Sequence, residues 1–300
     1  MHDTTPCARE FWLDMAEFYG HPYTGTTESS FFSPLRKNLP HGVSAPVMMS
    51  AMEMAAQYHR LQWRKGTSKN IGGEPFVRHL AVVTSIGIAM GITDSDDLAT
   101  LLLHDAEEDA FEQYLLNMFL IKQSVSNNPA ALSALQVGPR TELFRSFCKA
   151  FTKERQKERG LSPREQEVEF RLKRNADIAG MFGSRVASQV HYLSNPVGMS
   201  TSKKRERQRQ RYLHKPENIK LLKLCDILSK LVDADYDTHW SAQKVACFFE
   251  HAVMFTNMLQ NPPPFAYELL DVAFGKLKPR ESTEQWCRNG AILKHAMLVS

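Results

Sequence analysis

Much that would point to a class at once is missing from this chain. Its five cysteines, Cys7, Cys148, Cys225, Cys247 and Cys287, are odd in number, widely scattered and never spaced Cys-x-x-Cys. Zinc-ribbon and disulfide-scaffold readings fail on that count, and a reducing cytoplasm is the expected setting. No apolar run approaches the roughly 18–20 residues of a membrane span. The opening Met-His-Asp-Thr-Thr-Pro-Cys lacks the charged and apolar regions of a secretory signal. The net charge is only +4, too mild to call for nucleic acid. There is no period-two alternation of any length, which excludes an extended sheet, and no internal repeat, which excludes a solenoid.

What is present is an ordinary globular composition, 43% hydrophobic and 23% charged over 300 residues, enough for one large or two modest domains with a real core. Apolar residues recur at helical spacing. Val47, Met48, Ala51, Met54, Ala55 and Tyr58 line one face of a helix, and a polar, glycine-bearing loop follows from Arg64 to Gly73. Glu74-Pro75 opens a second helix with His79 early in it, buried along Leu80, Val83, Ile86, Gly87 and Met90 and stopped at Gly91. Two exposed helices are expected between Thr141 and about Gly183, broken at Gly160-Leu161-Ser162-Pro163, with a further stretch from Val186 into Ser194-Asn195-Pro196. The helix after Pro216 is apolar almost all round, from Ile219 to Val232, and should be buried. Helical patterns at Ser241–Leu259, Phe265–Phe274 and Thr283–Leu298 complete an all-α reading. The expected organisation is an N-terminal arm (1–45), a core (46–235) carrying a helical insertion at about 111–185, and a helical C-terminal extension (236–300) packed on that core.

The centre of interest is Leu101-Leu102-Leu103-His104-Asp105-Ala106-Glu107-Glu108-Asp109. A helix starting near Thr93 or Asp94 puts Leu98, Leu101 and Leu102 on an inward stripe, and the same spacing carried on brings Asp105, Glu108 and Asp109 onto it. Unpartnered carboxylates there would cost several kcal/mol each. Taken alone, the pattern also fits an amphipathic helix whose acidic end emerges into water. Two further polar residues stand in apolar company: His79 near the start of its helix, and Asp226 in the middle of the buried one. Two imidazoles and two carboxylates, His79, His104, Asp105 and Asp226, make a nitrogen/oxygen set suited to manganese, iron, cobalt or zinc. His59, His191, His214, His239, His251 and His295 fall at no ligand spacing.

The order His…His-Asp…Asp resembles the HD phosphohydrolase superfamily. More narrowly, it is similar to the hydrolase domain of RelA/SpoT-type enzymes and the small alarmone hydrolases, which remove pyrophosphate from the 3′ position of (p)ppGpp. Arg64-Lys65, Gly73-Glu74-Pro75-Phe76 and His79 resemble that family's Arg-Lys…Gly-Glu-Pro-Tyr…His-Pro opening. Leu102–Asp109 resembles its Leu-Leu-His-Asp-x-x-Glu-Asp core, and Lys223-Leu224-Cys225-Asp226 its Lys-Leu-Ala-Asp. The likeness covers roughly Met54–Asp109 and Val186–Val232. It implies an HD-domain helical bundle and a metal held by His79, His104, Asp105 and Asp226, with Mn²⁺ expected. It further implies that Glu108 and Asp109 orient or deprotonate the attacking water, and that Arg64 and Lys65 lie along a nucleotide substrate.

Departures from the family pattern are equally specific. Leu80 follows His79 where the family has Pro, and about six extra residues separate Arg64-Lys65 from Gly72-Gly73. Ile227-Leu228-Ser229-Lys230 replaces Arg-Leu-His-Asn, so that Lys230 stands where an Asn near the sugar is expected. The stretch between Asp109 and Val186 is far longer than usual. Within the basic run Lys203–Arg211, Arg207 and Arg211 are candidates to reach a substrate phosphate. Two rivals stay open: an HD hydrolase of another nucleotide or phosphoester, and a non-catalytic regulatory or nucleic-acid-binding protein on the same scaffold.

Overall fold

The structure is a computed structural model that describes residues 7–20, 32–60, 62, 75–122, 142–197, 201–236, 241–277 and 293. Among these there are twelve helices and no strand. They are α1 (Ala8–Gly20), α2 (Ser33–Lys37), α3 (Ala45–Tyr58), α4 (Phe76–Ala89), α5 (Ser95–Leu103) and α6 (Ala110–Lys122), then α7 (Glu142–Arg159), α8 (Pro163–Leu193), α9 (Thr201–Tyr212), α10 (Glu217–Tyr236), α11 (Ala242–Thr256) and α12 (Pro264–Lys276). The all-α expectation holds. Arg64 and Lys65, the loop to Glu74, the connection 124–139 and most of the stretch 283–298 lie outside the described residues. No helix among the described residues is long and apolar enough to cross a membrane.

The buried helix expected after Pro216 is α10, and the core is built around it. Leu222, Leu224, Cys225, Ile227, Leu228, Leu231 and Val232 are all buried. An all-round apolar helix has no face to give to water, so neighbours close on every side. Helices α1, α4, α5, α8, α11 and α12 all touch it. Helix α1 also lies on α12, where Phe11 and Phe265 meet edge to face at 5.4 Å between ring centres, and Trp12 is buried. A smaller apolar cluster, Leu115, Leu116, Phe119, Leu120 and Phe144, joins α6 to α7 within the stretch 111–185.

Two local features position the site. Helix α4 lies so close to α5 that a Cβ added at Gly87 would meet Leu101 Cδ1 at 2.4 Å. Helix α5 starts where expected, Asp94 Oδ1 accepting from the backbone N–H groups of Asp96 and Asp97 at 3.0 Å each. It does not run on to Asp109, however. It ends at Leu103, and residues 104–109 are a chain of tight turns, with Ala106 N–H donating to Leu103 O at 2.9 Å and Ala110 N–H to Glu107 O at 3.3 Å. The break expected near Gly183 is there: Gly183 leaves helical geometry at φ 86° and ψ 169°, a backbone conformation open to glycine, and kinks α8 between two helical pieces.

Candidate metal centre

Three segments distant in sequence bring the four expected ligands together: α4 carries His79, the turn after α5 carries His104 and Asp105, and α10 carries Asp226. His79, His104 and Asp105 each offer one atom within 4.8 Å of the others. Asp226 joins them through Oδ1, which lies 3.6 Å from Nε2 of both histidines. Asp105 Oδ2 is 3.1 Å from His104 Nε2 and 3.7 Å from His79 Nε2. Donor atoms bound to one ion at about 2.1 Å stand about 3–4 Å apart, so these separations suit a shared cation.

Hydrogen bonding behind the rings decides what they present. His104 Nδ1 lies 2.8 Å from the Leu101 carbonyl, which can only accept, so Nδ1 carries the proton and Nε2 is left as a lone pair. That Nε2 is buried and accepts no hydrogen bond. Ser229 gives its hydroxyl proton to the Asp226 carbonyl at 2.8 Å, so its oxygen accepts from His79 Nδ1 at 3.3 Å. Asp233 Oδ2 stands 3.8 Å from the same Nδ1. Two imidazole lone pairs and two carboxylates therefore converge on one point, an arrangement that calls for a positive charge. Without an ion the site answers with a proton: burial alone would lower His104, but Asp105 and Asp226 raise it to about 10. The donor set fits a divalent transition metal.

Two lysines meet Asp226, one at each oxygen. Lys223 Nζ is 2.7 Å from Asp226 Oδ2 and Lys230 Nζ is 2.6 Å from Oδ1, the oxygen that also faces the histidines. Burial would raise Asp226, but Lys223 and Lys230 hold it well below the usual carboxylate range.

The acidic pair after Asp105 divides in two. Glu108 Oε2 accepts from the backbone N–H of Asn195 at 3.1 Å and from its side-chain amide at 2.6 Å, and Gln208 in turn donates to Asn195 Oδ1 at 2.6 Å. Asp109 Oδ2 accepts from Gln62 Nε2 at 2.8 Å and lies 3.8 Å from His59 Nδ1. Burial, then the charge of Asp105, push Asp109 well above the usual carboxylate range, although 22% of its side chain reaches solvent. Arg207 is exposed, and Arg211 donates to the Ser194 carbonyl at 2.8 Å and to that of Tyr192.

Sequence reasoning passed over three neighbours. His59 is buried, stacked on Phe76 with ring centres 4.6 Å apart, and burial lowers it to about 4. Its place at the end of the α3 apolar face was a signal for burial, but no spacing tied it to Asp109. Gln62 is held by Phe76 N–H, which donates to its carbonyl at 2.9 Å. Arg174, on α8, lies over the Tyr58 ring with its guanidinium carbon 3.4 Å from the ring centre.

No family model matches the chain, and no curated protein matches it. Among solved structures, one similar to this chain is that of a metazoan ortholog of SpoT, described as hydrolysing ppGpp and playing a role in starvation responses. It is 19% identical, the alignment covers 79% of this chain and 97% of that one, and the TM-score is 0.49.

Proposed function

We propose that this protein is a metal-dependent phosphohydrolase of the HD type, with residues 46–235 as its catalytic unit and a nucleotide as its substrate. The substrate that best suits the sequence motifs is (p)ppGpp, cleaved at its 3′ pyrophosphate. One observation supports this above the rest: the lone pairs of His79 and His104 and the carboxylates of Asp105 and Asp226 converge from three distant segments. A divalent ion such as Mn²⁺ held by these four would supply Lewis acidity, lowering the pKa of a water and offsetting charge on a phosphoryl oxygen.

The remaining work falls to the chain's own groups. Asp109, raised by burial and by Asp105, is poised to take a proton from the attacking water and pass it on. Glu108, fixed by two donors from Asn195, orients rather than titrates. Lys230, with 29% of its side chain exposed, has an ammonium at the mouth of the cluster that is free to turn from Asp226 to a substrate phosphate. Arg64 and Lys65 are assigned to the nucleotide on the motif alone.

The ammonium of Lys230, where the family pattern has an Asn near the sugar, favours a second reading: a nucleotide with a phosphate at that place. One experiment tests both. Purified protein is analysed for bound metal, then assayed with Mn²⁺ for release of phosphate or pyrophosphate from ppGpp, nucleoside tri- and monophosphates and cyclic nucleotides. Pyrophosphate released from ppGpp alone supports the first reading, and turnover of another nucleotide supports the second. Absence of both metal and turnover refutes the proposal and favours a binding role for the scaffold.

A further inference from the structure

Arg174 belongs to the stretch 111–185 by which this chain exceeds the family pattern, yet α8 carries it onto Tyr58, beside the His59–Asp109 pair that adjoins the candidate ligands. Its guanidinium lies face-on to Tyr58, the residue before His59, and His59 Nδ1 is 3.8 Å from Asp109 Oδ2. The next residue, Asn175, donates to Glu107 Oε2 at 3.1 Å and to the Ala187 carbonyl at 2.8 Å, which ties this turn of α8 to the 104–109 segment. Arg174 is near enough for its charge to act on both His59 and Asp109.

Asp177, one turn along α8, and Asp109 act on this cation by charge, but neither pairs with it directly. Its Nη1 is buried and makes no hydrogen bond, and among the described residues no carboxylate oxygen lies within 4.0 Å of its nitrogens. Burial lowers its pKa, as desolvation of an unpaired charge must. A stacked ring fixes the plane of a guanidinium but accepts nothing from its N–H groups, which stay directed edgewise. A desolvated guanidinium held flat, with donors to spare, beside a cluster suited to metal-assisted phosphate chemistry has the chemistry of an anion site.

We propose that Arg174 binds a phosphoryl oxygen of the substrate, so that the additional helix α8 supplies a phosphate-binding residue from outside the metal-ligand motifs. The inference rests on the phosphohydrolase reading, and the experiment separates the two. Binding of Mn²⁺ and then of inorganic pyrophosphate is measured by calorimetry on the full-length protein and on Arg174→Met and Arg174→Lys. The expected result is unchanged Mn²⁺ affinity, with pyrophosphate held roughly 10- to 100-fold more weakly by Arg174→Met, the loss of a charge-assisted, two-pronged contact. Arg174→Lys, which keeps the charge and the stacking but not the fork, should fall between and serves as the readout if the Met variant does not fold. A purely structural Arg174 would lower the melting temperature and leave pyrophosphate affinity of the folded protein untouched, which overturns the inference. So does a wild-type protein that binds no pyrophosphate. Failure of Mn²⁺ to bind, by contrast, removes the metal reading and leaves the pyrophosphate comparison to be made in metal-free protein.

Discussion

Metal binding should expel a proton. The perturbation is a titration of metal-free protein with Mn²⁺ across a pH series. In the metal-free protein His104 is raised to about 10 by Asp105 and Asp226 against the opposing effect of burial. At about pH 7.5 its Nε2 therefore carries a proton, and a metal can bind there only after that proton leaves. The gap of roughly 2.5 pH units costs about 3 kcal/mol, or roughly 300-fold in affinity. Affinity should then rise by roughly tenfold per pH unit from neutrality toward pH 9, with close to one proton released per ion. Calorimetry in buffers of different ionisation enthalpy counts that proton directly. The same shift has a consequence for stability. Because the folded pKa lies above the ordinary value near 6.5, His104 stabilises metal-free protein fully below about pH 6.5, and this contribution is lost as pH rises toward 10. Bound metal should abolish that loss. A pH-independent affinity with no proton released would refute the account of how the lone pairs and carboxylates are balanced.

Other expectations concern packing and acid stability. His59 is held neutral, its pKa lowered to about 4 by burial, so the unfolded chain binds the extra proton between about pH 4 and 6.5. Folding stability should fall by up to about 3 kcal/mol as pH drops through that window, and denaturant melts of His59→Gln should show a flatter acid limb. Gly87→Ala pits a helix-propensity gain of about 1 kcal/mol against an overpacking cost of about 1–3 kcal/mol. Leu101 is fully buried and its Cδ1 would lie 2.4 Å from the new carbon, so a net loss is expected. Gly180→Ala, at a helical position with nothing within 4 Å, should instead raise the melting temperature; equal shifts at both positions would contradict the close α4–α5 approach.

Local rules told most of what could be told about the elements. The capping oxygens of Asp94, the proline before Phe76 and the all-round apolar run of α10 each act within a few residues, so helix starts and the buried helix could be read directly. The candidate ligands too were legible, because a buried carboxylate or imidazole in an apolar stripe is a local anomaly. What periodicity could not show is where a helix stops once its stripe turns acidic. Carried past Leu103, the 3.6-residue pattern placed His104–Asp109 on a helix, whereas mixed i-to-i−3 and i-to-i−4 bonds close that segment into turns. Tertiary structure alone decided the company each ligand keeps. Lys230 faces Asp226 Oδ1, the oxygen nearest the two histidines, His59 and Gln62 stand behind Asp109, and Arg174 crosses from a stretch without any motif. These meetings depend on which faces of distant helices pack together, and no spacing along a single element encodes that. The chain's order determined which residues were available to a metal; the packing of α4, α5 and α8 around α10 determined which other charges must share the site with it.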